Sequence, residues 1–229
     1  RLGDEVWQIH RPEGEFLHHG IAFAIQCLFD LLVKLPALLS FDTVGHRQFE
    51  AFCRSHNLLL MVDEVQTGVG RTGKLFAFQQ YDLLPDVCSF AKGIAGGMPM
   101  SGIMANEKCR NVLTPGTHAT TFGGNPVCCA GALSVLERID EKLLADVREK
   151  SDYIKSELKD CDGILSISGM GLMIGIKTTK PVSDVIKECM QNGVLCLSAK
   201  DKLRLLPALN IDFELLKKAV EVIKSAVKN

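Results

Sequence analysis

The chain has 229 residues, of which 47% are hydrophobic and 23% charged, so it can bury a sizeable core in one or two domains. Its formal net charge of -1 at pH 7 gives no electrostatic case for binding nucleic acid or an anionic membrane. The nine cysteines form no CxxC pair, which favours reduced thiols in an intracellular protein over a disulfide framework.

The N-terminal part of the chain, residues 1–47, is predicted to be an atypical segment. Residues 21–41 are apolar enough to raise the question of a membrane span. Four residues interrupt this apolar run: Gln26, Asp30, Lys34 and Pro36. Because a spanning helix needs about 20 mostly apolar residues, a buried or partner-facing amphipathic segment is the better interpretation. We therefore expect no membrane partner.

The next predicted elements are a helix and a buried strand. Residues 49–56 are predicted to be helical, with Asn57 as a left-handed stop. The apolar run 58–62 has the length of a central parallel strand covered on both faces, and it ends in Asp63 and Glu64. Ligands of open α/β sheets bind at the carboxyl ends of strands, so Asp63 is a candidate cofactor contact. A backbone N–H or a lysine as its partner is the structural alternative.

Two local patterns suggest other ligands, and neither is complete. The segment GVGRTGK at residues 68–74 nearly matches a P-loop, but Leu75 stands where a Ser or Thr hydroxyl would hold Mg²⁺. A glycine-rich turn is therefore favoured over a nucleotide-binding loop and its NTPase function. Cys53 and His56 are spaced like two metal ligands but lack a second pair, so no metal site is expected.

Lys92 is the most informative residue of the chain. It follows a short predicted strand, residues 87–90, and lies 29 positions after Asp63. A lysine at a buried strand end loses solvation, which favours the neutral amine that attacks a carbonyl. A nearby acid can keep a pyridine-type nitrogen protonated and so make an aldehyde cofactor an electron sink. Lys92 and Asp63 are therefore the predicted catalytic pair.

A loop and a helix follow a further predicted strand at residues 102–105. Asn125 and Pro126 begin the helix, with Asn as N-cap and Pro at the first position, and the helix is predicted to continue to Lys159. The loop at 117–124 carries hydroxyls and paired glycines. Together with the helix N-terminus it suits an anion, and an ordinary capped loop is the alternative.

Shorter elements alternate after residue 161. Strands are predicted at 165–168, 172–176, 194–197 and 203–206, and helices at 182–191 and 213–227. Arg204 lies between apolar residues on the last strand, where a guanidinium suits a substrate carboxylate or a structural ion pair. The alternation predicts an α/β class. The predicted units are the atypical segment, a sheet-centred large domain at 48–161 and a smaller C-terminal α/β domain at 162–229.

In chain order these segments resemble the class III pyridoxal-phosphate aminotransferases, which have fold type I. The resemblance runs from about residue 48 to the C-terminus. It implies a partial large domain with a mainly parallel sheet, a smaller C-terminal α/β domain and a homodimer. The segments that carry it are LMVDEVQTG at 60–68, AKG at 91–93, the loop at 115–126, GLMIG at 171–175 and residues 203–210.

The resemblance also implies which residues bind the cofactor, pyridoxal 5′-phosphate. Lys92 would bind its aldehyde covalently and then move a proton of the substrate. Asp63 would pair with the pyridinium nitrogen, and Glu64 would stand with it among the cofactor-binding residues. Val65 would pack on the ring face, and Gln66 would hydrogen-bond the phenolic oxygen of the ring.

The remaining implied contacts concern the phosphate and the substrate. Thr121 would reach the phosphate of the neighbouring subunit, Thr120 would lie beside the substrate, and Arg204 would bind the substrate α-carboxylate. The implied reaction moves an amino group from N-acetylornithine, or a related ornithine-type donor, to 2-oxoglutarate in arginine biosynthesis. The partners would be amino acids and 2-oxo acids. A cytoplasmic location is expected, with mitochondrion or plastid as alternatives.

The first segment departs from the family pattern. Residues 5–23 look like a degraded version of the N-terminal strands of the family, and residues 25–41 match nothing in it. We therefore expect this chain to lack the phosphate cup, the aromatic residue that stacks on the ring and a second substrate arginine. Two alternatives follow: an inactive truncated relic or isoform that acts as a binding protein, and a relative of the ornithine or 4-aminobutyrate aminotransferases.

Overall fold

The computed structural model describes residues 43–228. The expectations for residues 1–42, including the apolar run at 21–41, lie outside the described residues. In the described part, no helix has both the length and the apolar character that crossing a membrane requires.

The first half of the described chain builds a three-stranded sheet. Helix α1 (Thr43–Ser55) is followed by Asn57 at φ 51°, the left-handed stop that was predicted. Strand β1 (Met61–Asp63) pairs in parallel with β2 (Val87–Phe90), and β2 pairs antiparallel with β3 (Gly102–Ala105). The sheet is thus mixed, and the predicted bounds of β2 and β3 are confirmed.

Strand β1 begins three residues later than predicted because a side chain takes the place of the ladder at its start. The N–H of Leu60 donates to Asp86 Oδ2 at 2.8 Å, and the carbonyl of Leu60 accepts from the N–H groups of Asp86 and Val87. The amide of Asn106 donates to the other oxygen of the same carboxylate at 2.8 Å. The buried Asp86 therefore ties the amino-terminal end of β1 to the segment that follows β3.

The long helix predicted from Asn125 is two helices, α2 (Pro126–Leu136) and α3 (Glu141–Leu158). Asn125 is the N-cap of α2, as predicted, and its Oδ1 accepts from two N–H groups of the first turn. The break was not predicted. Its cause is Asp140, whose carboxylate accepts from the N–H of Leu143 at 2.8 Å and begins α3 as a second N-cap.

This second cap has a testable energetic role. Asp140→Ala should lower the free energy of unfolding by about 1 kcal/mol, because the orphan N–H of Leu143 loses its acceptor. Asp140→Asn keeps an acceptor oxygen and should cost a few tenths of that. Urea unfolding of the two variants measures the difference, and equal losses would contradict the capping role.

The second half of the described chain forms an antiparallel sheet in the order β4-β5-β7-β6. Its strands are β4 (Ile164–Met170), β5 (Met173–Thr178), β6 (Leu197–Ala199) and β7 (Lys202–Leu205), and its helices are α4 (Val182–Gln191) and α5 (Phe213–Val227). The bounds of α4 and α5 are those predicted. Strand β6 starts at Leu197 instead of Val194, because the N–H of Val194 donates to Cys189 and completes the end of α4.

The main core lies between this sheet and three helices. Val147, Ile154 and Leu158 of α3 are fully buried against residues of β5, β7 and α5 such as Ile176 and Leu203. The α/β class is confirmed. Helix α3, although it precedes residue 161, packs on the C-terminal sheet; the domain boundary at 161 itself stays a prediction.

Candidate functional site

The parallel strands β1 and β2 end at the same edge of their sheet. Asp63 closes β1 opposite Ser89 of β2. Its Oδ1 accepts from the Ser89 hydroxyl at 2.9 Å and from the N–H of Val65 at 3.0 Å. Its Oδ2 has no hydrogen-bond partner among residues 43–228. The carboxylate is therefore oriented from inside the chain and keeps one oxygen for a ligand.

Lys92 begins a single 3₁₀ turn, Lys92–Ala95, just after β2. Its φ of 53° lies in the left-handed region, which is uncommon for a residue with a Cβ and is a strain that clusters at functional sites. The buried residues of the turn are Ile94 and Ala95, so Lys92 lies on the outer side and is exposed. The expectation of a buried lysine is wrong for that reason.

The side-chain amino group of Lys92 has no hydrogen-bonding or ionic partner within residues 43–228. The structural alternative, in which Lys92 is merely the counter-ion of Asp63, is therefore not what the structure has. A free amine and a free carboxylate oxygen lie at the same edge of one sheet.

The Lys92 turn is held from below by tight packing. Val69, Ile94, Ala95 and Ala132 form a buried cluster, so α2 packs directly against the turn. At Gly131 of α2 an added Cβ would stand 3.0 Å from the carbonyl oxygen of Ala95, a contact closer than most side chains make. The position of Lys92 is therefore set by α2 as well as by β2.

Glu64 is buried and its carboxylate is satisfied within the chain. Its Oε1 accepts from the N–H of Phe78 at 2.8 Å, and its Oε2 accepts from the Thr67 hydroxyl. Glu64 therefore fixes the turn after β1, and its cofactor contact stays a prediction. On the neighbouring strand, burial, with the charges of Glu64 and Asp63, raises the pKa of Cys88 to about 12. That thiol stays protonated and is no nucleophile.

Gln66 and Arg204 are far apart in sequence and meet in the fold. Arg204 Nη2 donates to Gln66 Oε1 at 2.6 Å. Arg204 lies on β7 between the buried Leu203 and Leu205, so its side chain leaves the opposite face of the strand. Within residues 43–228 no carboxylate pairs with Arg204. The alternative of a structural ion pair is thus not realised there, and the guanidinium keeps donors for a ligand.

Thr120 and Thr121 lie in the exposed loop before α2. The carbonyl of Thr120 accepts from the N–H of Gly123, and the side chains form no hydrogen bond to Lys92 or Arg204 in the described part of the chain. Asn125 already binds two of the N–H groups at the start of α2. The predicted roles of Thr121 at the phosphate and of Thr120 at the substrate stay predictions.

The segment that nearly matches a P-loop forms a turn. Residues 68–73 form a glycine-rich turn, as favoured above, and the chain continues from Lys74 into a short 3₁₀ turn, Ala77–Tyr81, instead of the helix that a P-loop begins. Within the part of the chain that the structure describes, no cluster of three metal-ligating side chains occurs.

Sequence reasoning missed two residues of this site. Ser89 was missed because a serine inside a short strand carries no motif. Only the register of β1 and β2 places it opposite Asp63. Arg71 stands in the glycine-rich turn, and its Nη1 donates to the carbonyl groups of Leu172 at 3.2 Å and Pro207 at 2.5 Å. No local pattern indicates those acceptors, which flank two strands of the C-terminal sheet.

Comparison with known proteins gives a consistent family assignment. The family model described as "Aminotransferase class-III" matches residues 45–227. The acetylornithine aminotransferase of Haemophilus ducreyi is 42% identical over 186 residues, which cover 80% of this chain and 47% of that protein. The acetylornithine aminotransferase of Aquifex aeolicus is 40% identical, over 77% of this chain and 47% of that protein. The chain spans about half the length of the curated relatives it matches.

Solved structures of aminotransferases are similar to this chain as well. The acetylornithine aminotransferase of Elizabethkingia anophelis superposes with a TM-score of 0.76 at 33% identity, over 81% of this chain and 52% of that one. The ornithine aminotransferase of Plasmodium yoelii superposes with a TM-score of 0.72 at 34% identity, over the same shares of the two chains.

Proposed function

The chain belongs to the class-III aminotransferase family, and from this we propose that it carries the lysine side of a pyridoxal-phosphate-dependent transaminase site. The family uses this cofactor, and the α/β fold is that of fold type I, as the sequence resemblance implied. One observation supports the proposal above the others. The free amine of Lys92 and the free oxygen of Asp63 lie at one sheet edge, with Asp63 oriented by Ser89.

The residues at this edge fit the cofactor's aldehyde and ring. The Lys92 amine has no competing partner in residues 43–228, and Asp63 offers Oδ2 to a protonated ring nitrogen. Val65 is half-buried beside them, where it would pack on a ring face, and the side chain of Gln66 would hydrogen-bond the phenolic oxygen. When bound, pyridoxal phosphate supplies an aldehyde and a ring that draws electrons from the substrate Cα.

Individual residues of the chain would bind the substrate and move its proton during amino transfer. Arg204 would bind the substrate α-carboxylate through its guanidinium fork, and Thr120 would lie beside the substrate. The amine of Lys92 would take the proton from the substrate Cα as a general base and deliver it, as a general acid, to the aldehyde-derived carbon of the cofactor. Asp63 would hold the proton on the ring nitrogen. Thr121 would reach the phosphate held by the partner subunit of a homodimer.

For the substrates, we propose N-acetylornithine as amino donor and 2-oxoglutarate as acceptor, in arginine biosynthesis in the cytoplasm. The curated relatives reported above are acetylornithine aminotransferases, which supports this donor. Free ornithine is the second candidate, because an ornithine aminotransferase matches the fold at a TM-score of 0.72.

Reductive labelling tests the cofactor role directly. The purified chain is incubated with pyridoxal phosphate, reduced with borohydride and digested, and the adduct is mapped by mass spectrometry. We expect one adduct, confined to Lys92. A chain with no adduct, or with label spread over several exposed lysines, would instead be the inactive relic or binding protein considered above.

A further inference from the structure

Arg71 lies in the turn after β1, residues 64–73, and connects this turn to the end of the strand that carries Arg204. Its Nη1 donates to the carbonyl groups of Leu172 and Pro207, and its own carbonyl accepts from the N–H of Leu172 at 3.0 Å. Leu172 directly precedes β5, and Pro207 follows the end of β7. One arginine thus holds the same edge of two neighbouring strands from outside their sheet.

The register of the sheet explains why an arginine is needed at this place. Ile174 of β5 pairs with Leu205 of β7, so Leu172 and Pro207 would form the next pair of the antiparallel ladder. Proline has no N–H to continue a ladder. The Arg71 guanidinium donates to the carbonyl oxygens of both residues and so replaces the backbone hydrogen bond that Pro207 cannot donate. Arg204 lies on β7, where it pairs with Gly175 of β5, three residues before Pro207.

The surroundings of Arg71 and Arg204 are positive and lack a counter-ion. Neither guanidinium has an acidic partner among residues 43–228; the acceptors are carbonyl oxygens for Arg71 and the Gln66 amide for Arg204. Burial lowers the pKa of the Arg71 guanidinium, and the positive charge of Arg204 lowers it further. A second positive charge beside the partly buried Arg71 favours an anion at this place.

We propose that Arg71 is a positioning residue for the substrate carboxylate: it fixes the end of β7 to the turn after Asp63 and so sets where Arg204 presents its guanidinium. The proposal rests on the proposed function, in which Arg204 binds that carboxylate. Arg71 itself touches backbone, so it acts through Arg204. The turn also carries Gln66, which contacts Arg204, so the cofactor side and the substrate side of the site are held at one distance.

The test measures carboxylate binding at Arg204 without using turnover. The full chain is treated with phenylglyoxal, an arginine reagent, at increasing 2-oxoglutarate, and modification of Arg204 is mapped by mass spectrometry. In Arg71→Met the concentration that gives half protection should rise roughly 10–100-fold, since a small displacement of a binding group has an effect of that order. Arg71→Lys keeps the charge and one donor and should fall between.

Arg148→Met is the matched control. Arg148 also donates to a carbonyl of this turn, that of Gly73 at 2.6 Å, but it comes from α3 and does not reach β7. The Arg148→Met variant should lower the melting temperature as Arg71→Met does and leave the protection of Arg204 by 2-oxoglutarate unchanged. An unchanged protection in Arg71→Met, an equal shift in Arg148→Met, or wild-type protein without protection would each overturn the proposal. Labelling of Lys92 is independent of all three, so the cofactor assignment stands or falls separately.

Discussion

Lys92→Ala is expected to abolish the borohydride-trapped adduct with pyridoxal phosphate and to lower any amino-transfer rate by roughly 10²–10⁴-fold, the usual contribution of a positioned acid–base group. The reason is chemical, because alanine offers neither the amine that attacks the aldehyde nor the group that moves the Cα proton. Lys92→Arg should fail as well, since a guanidinium stays protonated and is no nucleophile.

The loss should occur without loss of the fold. Lys92 is exposed, and its side chain makes no hydrogen bond or ion pair with the described residues, so the melting temperature should change little. Lys200→Ala is the matched control, because Lys200 is also exposed and stands at φ 55°. Adduct formation that survives in Lys92→Ala, or that disappears in Lys200→Ala, would refute the assignment.

Gly171→Ala should have a large effect on stability. Gly171 stands at φ +54°, and an added Cβ would lie 2.5 Å from the carbonyl oxygen of Arg71 and 2.6 Å from the backbone of Thr72. Left-handed geometry costs an alanine about 1–2 kcal/mol, and overpacking against backbone costs typically 1–3 kcal/mol more. We therefore expect the free energy of unfolding to fall by roughly 2–5 kcal/mol.

Gly193→Ala separates the two contributions. Gly193 has φ +80° with nothing within 4 Å of an added Cβ, so that variant should lose only the backbone contribution of about 1–2 kcal/mol. Urea unfolding of both variants gives the comparison. Equal losses would mean that the contact between Gly171 and the Arg71 turn is not tight in solution, which would also weaken the positioning role of Arg71.

Local pattern was sufficient for the elements whose signals lie within a few residues. Helices α4 and α5 and strands β2 and β3 have the bounds expected from periodicity, and Asn125 caps α2 as its position before Pro126 indicates. The break at Asp140 was available in the sequence as a capping residue, but the helical pattern on both sides concealed it. The order of motifs along the chain also pointed to the family that the comparisons confirm.

The contacts that shape the site lie beyond the reach of local pattern. Arg204 meets Gln66 across 138 positions, and Arg71 binds Pro207 across 136. Such pairs depend on the pairing of whole strands, so nothing within a helix or strand period marks them. The exposure of Lys92 likewise follows from which side of its turn packs on α2. Residue types and their order therefore indicated the family and the candidate residues, while long-range hydrogen bonds and packing determine which side chains are free to bind a ligand.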